Sequence, residues 1–212
     1  MSNVTIVDYG FGNIMSVANA FNFLGAKVTI TNDPKKISTS ERIILPGVGT
    51  FIAGMQALSN LNILDHIKLL EEKGVPILGI CLGMQLLMDT GFEDGETKGL
   101  GLIRGEVRPI ESLQDQPCQI KVPHIGWADL IKYRRKEGGN EIIHENELSG
   151  PMYFVHSYAV DLADNENLVA NSSYMGIIFP SIISKNLVYG CQFHPEKSGK
   201  NGLRFLSNFL KI

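Results

Sequence analysis

The chain is poor in cysteine and has no large excess of either charge. Three cysteines occur among 212 residues, at Cys81, Cys118 and Cys191, and no two of them form a C-x-x-C pair. This odd, dispersed set argues against a disulfide framework and against a thiolate zinc site. The formal net charge of −3 gives no sign of a nucleic-acid groove or a polybasic membrane surface. We therefore predict no metal, no nucleic-acid partner and no membrane partner.

Long apolar runs are also missing. No uninterrupted apolar stretch approaches the roughly 20 residues that a membrane-spanning helix needs, and the opening residues lack the basic start and apolar core of a signal peptide. A hydrophobic content of 44% in 212 residues suits one well-buried domain. We predict a single domain over residues 1–212 and a cytoplasmic location.

Strand and helix patterns alternate in the first half of the chain. Short buried strands are predicted at 4–8, 27–31, 42–45 and 75–80. Amphipathic helices are predicted at 13–24, 51–58, 63–73 and 82–88. This alternation is typical of an α/β fold with an open, mostly parallel sheet that is flanked by helices.

The second half is rich in strand-like segments and has few helices between them. The strand-like segments are 100–109, 120–122, 152–160, 167–171, 177–183 and 187–191. They predict an antiparallel or mixed extension of the sheet, followed by a closing amphipathic helix at 199–210. The polar segment 133–150 is predicted to be a surface excursion rather than a domain linker.

A candidate nucleophile lies at the junction of a predicted strand and a predicted helix. The sequence Gly79-Ile80-Cys81-Leu82-Gly83 has the G-x-C-x-G spacing, in which two glycines allow a tight turn that exposes the central residue. The amide of Leu82 would then point at a developing oxyanion. The ordinary alternative is a small buried cysteine at a strand end, and the two flanking glycines favour the nucleophile.

A histidine and a carboxylate that could complete this site occur near the end of the chain. His194 follows a predicted strand, and Glu196 stands two residues later. Acyl transfer by a cysteine needs a base beside the thiol and a group that orients the base. The pattern therefore predicts a Cys-His-Glu triad of Cys81, His194 and Glu196.

Two glycine-rich turns follow predicted strands, and the second, at 46–49, ends a strand at the edge where ligands of open α/β sheets bind. Pro46-Gly47-Val48-Gly49 follows a predicted strand, and its backbone amides are candidates for a second oxyanion donor, although a plain tight turn is the alternative. It is not a phosphate loop because no Lys-Ser/Thr follows. Gly10-Phe11-Gly12 lacks the third glycine of a dinucleotide fingerprint. We predict no cofactor.

These segments resemble a known enzyme family, the class I (triad) glutamine amidotransferases. The segments that carry the resemblance are Pro46-Gly47-Val48-Gly49, Gly79-Ile80-Cys81-Leu82-Gly83-Met84-Gln85 and Gln192-Phe193-His194-Pro195-Glu196-Lys197-Ser198. Three others narrow it to the glutaminase subunit of imidazole glycerol phosphate synthase: Asp8-Tyr9-Gly10-Phe11-Gly12-Asn13, Val122-Pro123-His124-Ile125-Gly126-Trp127 and Tyr153-Phe154-Val155-His156-Ser157-Tyr158. The resemblance extends over essentially the whole chain and implies the single-domain fold of that family.

The resemblance implies a role for each matching residue. Cys81 would attack the carboxamide of glutamine, His194 would accept and donate protons, and Glu196 would orient the histidine. The oxyanion hole would be formed by Gly47, Val48 and Leu82. The residues that would bind glutamine are Gln85, His156, Ser157 and Tyr158.

The resemblance also implies a heterodimer. Ammonia would travel through a shielded passage to a (βα)8-barrel cyclase subunit, which makes imidazole glycerol phosphate and aminoimidazole carboxamide ribonucleotide in histidine biosynthesis. The positions that match the subunit interface and ammonia passage are Asn13, His124, Trp127 and Lys197. From the residues alone they would be a helix cap, a core histidine, a core tryptophan and a solvated charge.

One departure from the family pattern keeps another function open. Ala128 stands where the family commonly has asparagine after Gly-Trp, so a side-chain amide is missing. A paralogous glutaminase subunit that supplies ammonia for amidination of a surface-polysaccharide sugar is the first alternative. A stand-alone cysteine hydrolase is the second, and it would leave Gln85 and the interface positions without purpose. A non-catalytic binding module is the third, and the presence of all three triad residues argues against it.

Overall fold

The computed structural model describes residues 2–114, 120–133, 142 and 150–212. Within this part of the chain, no helix is long and apolar enough to cross a membrane. Cys118 and most of the predicted surface excursion at 133–150 lie outside the described residues.

Strands are more numerous than helices. The strands are Asn3–Val7 (β1), Lys27–Thr31 (β2), Ile43–Gly47 (β3), Ile77–Cys81 (β4), Thr90–Gly91 (β5), Thr97–Lys98 (β6), Gly105–Pro109 (β7), His124–Ala128 (β8), Lys132–Tyr133 (β9), Met152–His156 (β10), Tyr158–Leu162 (β11), Leu168–Tyr174 (β12), Ile177–Lys185 (β13) and Val188–Cys191 (β14). The α-helices are Ile14–Phe23 (α1), Pro34–Ile37 (α2), Phe51–Asn60 (α3), Leu64–Glu72 (α4), Leu82–Leu86 (α5) and Gly199–Phe209 (α6). Short 3-10 helices span Ile110–Leu113, Asn165–Asn167 and Pro195–Lys197.

The main sheet has eight strands in the order β2-β1-β3-β4-β14-β13-β12-β9. The strands from β2 to β14 pair in parallel, and those from β14 to β9 pair antiparallel. The predicted α/β fold with an antiparallel extension is therefore confirmed. Two smaller sheets accompany it, one of β10 and β8 and one in the order β11-β7-β5-β6.

Helices cover both faces of the main sheet because its strands present apolar side chains to either side. In β3, Ile44 packs into one buried cluster with Phe21 of α1 and Phe205 of α6. Its neighbour Ile43 points to the opposite face and packs with Leu58 of α3 and other apolar residues. Alternation of this kind is expected for successive strand residues. The central strands β3 and β4 are therefore buried on both sides.

The structure corrects three of the predicted strands. The segment 152–160 is two strands, β10 and β11, which pair with different neighbours in different sheets and separate at Ser157. The first part of 100–109 is a loop, because amides such as those of Leu100 and Leu102 bond back to the carbonyls of Leu86 and Leu87. No strand forms at 120–122, and β8 begins only at His124.

Candidate active site

Cys81 lies at a sharp turn between β4 and α5. Its backbone has φ 54° and ψ −110°, a left-handed φ that non-glycine residues seldom adopt. The turn depends on close approach of backbones: a Cβ on Gly83 would collide with the carbonyl oxygen of Leu45, and one on Gly79 would lie 2.5 Å from the Gly83 carbonyl oxygen. Glycine is therefore required at both positions, and the predicted elbow is present.

Sheet topology brings His194 to Cys81. Strands β4 and β14 are parallel neighbours, with Cys191 paired to Ile80, so both strands end at the same edge of the sheet. His194 follows this exit, and its amide donates a 2.8 Å hydrogen bond to the carbonyl oxygen of Tyr153. Its side chain is buried, with 3% of the residue exposed.

Glu196 contacts the imidazole of His194. The Nδ1 atom of His194 lies 2.9 Å from the Oε1 atom of Glu196, and both side chains are almost fully buried. A carboxylate accepts, so Nδ1 carries the proton and Nε2 is the atom left to face the thiol. Nε2 is buried and meets no donor or acceptor of the described residues at hydrogen-bonding geometry.

The charge of His194 is stabilised by its two partners. Burial lowers the pKa of the imidazole, but the interactions with Cys81 and Glu196 outweigh burial and raise the pKa from 6.5 to about 9. The thiol is thus close enough to act on the imidazole electrostatically, even though the hydrogen-bond geometry is incomplete. Catalytic hydrogen bonds are often poorly aligned without substrate.

A buried network of two side-chain amides adjoins the thiol. The Nε2 atom of Gln192 lies 3.7 Å from the Sγ atom of Cys81. Gln85 Nε2 donates to the Oε1 atom of Gln192 at 3.1 Å and to the carbonyl oxygen of Tyr158 at 2.9 Å. Gln192 is fully buried, and sequence reasoning gave it no role. Its spacing of two residues from His194 is the available signal, because such residues share a side of an extended chain.

The thiol opens into a cavity of about 280 Å³. This is close to the lower end of small-molecule sites and suits a single amino acid. Of the predicted site residues, the lining includes Val48, Cys81, Leu82, Gln85, His156, Ser157 and Tyr158. Gly47 ends β3 and pairs with Cys81 across the sheet.

Glu93 is a second residue that sequence reasoning missed. It lines the cavity, and its Oε2 atom accepts a 2.7 Å hydrogen bond from the amide of Phe51, the first residue of α3. Burial raises the pKa of the carboxyl, and the bond from Phe51 opposes that rise. The only signal in the sequence was an acidic residue a few positions after the helix that carries Gln85.

Comparison with known proteins identifies the family. The model of the glutamine amidotransferase class-I family matches residues 5–212. The chain belongs to the class I glutamine amidotransferases. The sequence resemblance to this family is thereby confirmed.

Two curated relatives and one solved structure match this chain over nearly their full lengths. A Legionella pneumophila (strain Lens) protein named imidazole glycerol phosphate synthase subunit HisH 1 is 42% identical, and the match covers 100% of both chains. A Lactococcus lactis protein named imidazole glycerol phosphate synthase subunit HisH is 41% identical over 100% of this chain and 99% of its own. A solved structure titled PurLQS from Thermotoga maritima superposes with a TM-score of 0.72 at 21% identity, covering 100% of this chain and 99% of that one. The structure of this glutamine amidotransferase thus has the fold of its family.

The four positions assigned to the partner interface lie in different environments. Asn13 caps α1, with its side chain accepting from the amide of Ser16 at 3.3 Å. Trp127 is 57% exposed and packs edge-on against Tyr153, whose ring centroid lies 5.9 Å from the Nζ atom of Lys197. The tryptophan is therefore a surface residue and not part of the core.

His124, the fourth of these positions, is buried and not on the surface. It is 2% exposed, and its Nδ1 atom lies 3.1 Å from the Nε2 atom of His156. His156 Nδ1 lies 2.9 Å from the carbonyl oxygen of Tyr158 and so donates to it, which makes His124 the donor to His156. Burial lowers the pKa of His124 to about 4 and that of His156 to about 3. His124 can therefore reach a partner only through its neighbours.

We expect Glu196→Gln to change how stability depends on pH. The pKa of His194 is raised from 6.5 to about 9, so its contribution to the free energy of unfolding is full below pH 6.5 and is lost as the pH rises to about 9. Removing the carboxylate charge removes one cause of the raised pKa, so the loss over this range becomes smaller. Urea unfolding of the isolated chain over this pH range measures the loss of stability. The variant Glu72→Gln, at an exposed glutamate, is the control. An unchanged loss would show that Glu196 does not raise the pKa of His194.

Proposed function

We propose that this chain hydrolyses glutamine to glutamate and ammonia at Cys81 and passes the ammonia to a (βα)8-barrel cyclase subunit. That partner makes imidazole glycerol phosphate and aminoimidazole carboxamide ribonucleotide in histidine biosynthesis. The observation that carries the proposal is the elbow cysteine facing a buried His194–Glu196 pair at the edge of a cavity of amino-acid size. The full-length relatives named as subunits of imidazole glycerol phosphate synthase support the choice of pathway.

The triad can carry out both halves of a glutaminase reaction. The Cys81 sulfur attacks the carboxamide carbon of glutamine and forms a C–S bond, while His194 holds the proton. The imidazolium then protonates the leaving nitrogen, the C–N bond breaks, and ammonia departs from a thioester. Water attacks the thioester with His194 as its base, which returns the thiol and releases glutamate. Glu196 stabilises the imidazolium that forms in each half.

The oxyanion of each tetrahedral intermediate needs donors opposite the triad. The amide of Leu82, directly after the nucleophile, is one donor. Gly47 and Val48 supply the other, since the loop after β3 borders the cavity and β3 is the parallel neighbour of β4. Donors of this kind contribute roughly 10²- to 10³-fold to the turnover number.

Two side chains suit the amino-acid end of glutamine. Both amide hydrogens of Gln85 are used, by Gln192 and by the carbonyl oxygen of Tyr158, which leaves the Gln85 oxygen as an acceptor. Glu93 places a carboxylate on the wall of the same cavity. A charged carboxylate is a strong partner for an α-ammonium group.

An apolar surface next to the cavity suits a partner subunit. Ile125 and Trp127 on β8 are 59% and 57% exposed, and Val122 just before the strand is 42% exposed. β8 pairs with β10, with His124 opposite His156, so this surface adjoins the wall of the cavity. Exposed apolar clusters mark interaction sites, and a seal here would keep ammonia out of water.

The sugar-amidating paralogue remains the second candidate function because of Ala128. In the structure Ala128 pairs with Met152 and is half-buried against the core. It stands next to the exposed Trp127, so a change at this position alters the surface that suits a partner. Glutamine-dependent formation of imidazole glycerol phosphate with a purified barrel cyclase separates the two candidates, because the paralogue would not support it.

We expect low glutaminase activity from the isolated chain and strong stimulation by the barrel subunit with its ribonucleotide bound. Release of ammonia without an acceptor wastes glutamine, and a loop with glycines at 47 and 49 can reorient a peptide at low cost. Glutamate formation is measured with and without the partner. Vigorous turnover by the chain alone would contradict this prediction.

We expect Cys81→Ala to abolish glutamine-dependent synthesis by the complex and to leave ammonium-dependent synthesis intact. The variant lacks the sulfur that attacks glutamine but keeps the partner's own site. Cys191→Val is the matched control, since it removes another buried thiol and should retain glutamine-dependent synthesis. Failure of added ammonium salts to support the Cys81→Ala complex would contradict the transfer of ammonia.

We expect Glu93→Gln to raise the KM for glutamine about tenfold or more with a smaller change in kcat. The substitution removes the negative charge offered to the α-ammonium group, and the amide oxygen can still accept from Phe51. Glu96→Gln, at an exposed glutamate nearby, is the control and should leave KM unchanged. Equal KM values for wild type and Glu93→Gln in the stimulated complex would remove Glu93 from the binding site.

A further inference from the structure

The hydroxyl of Tyr9 is a buried polar group that the proposed chemistry does not use. Tyr9 follows β1 and is 3% exposed. Its hydroxyl oxygen has no hydrogen-bond partner among the described residues. An unpaired buried hydroxyl costs free energy and is rare in native proteins. The surroundings of this hydroxyl therefore indicate which group it could bond to in another arrangement of the site.

The hydroxyl lies against the glycine loop that follows β3. A Cβ on Gly47 would collide with the Tyr9 hydroxyl oxygen. The ring of Phe11 stacks on Tyr9 at 5.8 Å, and an edge atom of that ring would lie 3.0 Å from a Cβ on Gly49. The turn from Tyr9 to Phe11 thus forms the backing of the loop, and Tyr9 reaches the backbone because position 47 has no side chain.

Tyr9 touches the loop without lining the cavity. Val48 and Gly49 border the cavity, whereas Tyr9 is not part of the described lining and belongs to a buried cluster that also contains Leu82. The N–H and C=O of a trans peptide point in opposite directions. When the Val48 amide points into the cavity, the Gly47 carbonyl oxygen points away from it, and the Tyr9 hydroxyl beside Gly47 is a donor available to that oxygen.

We propose that Tyr9 is a positioning residue, whose hydroxyl donates a hydrogen bond to the Gly47 carbonyl oxygen when the Gly47–Val48 peptide turns its amide into the cavity. The inference rests on the proposed function, because it assigns the oxyanion donor of that reaction to this peptide. The absence of a side chain at Gly47 matters in two ways. It leaves room for the Tyr9 hydroxyl, and it lets the ψ angle of Gly47 rotate without a steric cost from a Cβ.

The bond would bias the loop toward its catalytic arrangement. In the arrangement described here the hydroxyl is unpaired, so it raises the free energy of this state. Turning the peptide gives the hydroxyl an acceptor and removes that cost. Burial and the nearby Cys81 both raise the pKa of Tyr9, so the hydroxyl stays protonated and remains a donor during turnover.

Tyr9→Phe tests the inference because it should raise the stability of the isolated chain and lower the rate of the complex. The variant keeps the ring and removes only the hydroxyl. We expect the Tm of the isolated chain to rise, because an unpaired buried group is gone. In the complex with the barrel subunit and its ribonucleotide, we expect kcat for glutamine hydrolysis to fall about tenfold, with little change in KM.

Ser172→Ala is the matched control. Ser172 also has a buried hydroxyl without a partner among the described residues, but it lies on β12, three strands from β4 in the sheet order. Its removal should leave kcat in the complex unchanged. A loss of kcat in both variants would trace the effect to general destabilisation and overturn the role of Tyr9.

Three results would contradict the inference while leaving the proposed function intact. They are an unchanged kcat in Tyr9→Phe, a lower Tm of the isolated variant, and a changed rate of Cys81 alkylation by iodoacetamide in the isolated variant. The last would show that the hydroxyl acts on the thiol rather than on the loop. If the wild-type complex itself shows no stimulated hydrolysis of glutamine, the proposed function fails instead.

Discussion

The close packing of three backbone segments around Cys81 is the constraint on which the rest of the site depends. Gly83 at the start of α5 packs directly on the carbonyl of Leu45 in β3, and Gly79 in β4 packs on Gly83. No side chain fits between them. A non-glycine residue at positive φ costs of order 1–3 kcal/mol and persists only where its surroundings enforce it. Here the packed glycines hold Cys81 at φ 54°, which exposes the sulfur to the cavity.

The mixed sheet brings His194, the proposed base, to Cys81. A parallel neighbour on each side of β4 places the ends of β3, β4 and β14 at one edge. The glycine loop, Cys81 and the His194–Glu196 pair therefore meet although they are far apart in the chain. The antiparallel return through β13 is what delivers β14 to this position. The strand-rich second half is thus part of the site's construction.

Three buried histidines near the cavity show how environment sets charge. Burial alone lowers the pKa of His124 to about 4, and the pKa of His156 falls to about 3 for mainly the same reason. His194 is also buried, yet its pKa rises to about 9 because it faces a carboxylate and the thiol. The pair formed by His124 and His156 is therefore neutral and serves as a hydrogen-bonded wall. His194 is the histidine that can hold a proton for transfer.

The sequence by itself determined the features that depend on local pattern. Alternating strands and helices, the glycine spacing around Cys81 and the family resemblance all follow from neighbouring residues, and the fold and family are confirmed. Only the tertiary structure decided which distant groups meet: Gln192 next to the thiol, Glu93 on the cavity wall, Tyr9 against Gly47, and His124 against His156. It also divided the segment 152–160 at Ser157, because the two halves pair with different strands. Such contacts arise from strand order and register between distant segments, which local periodicity does not encode.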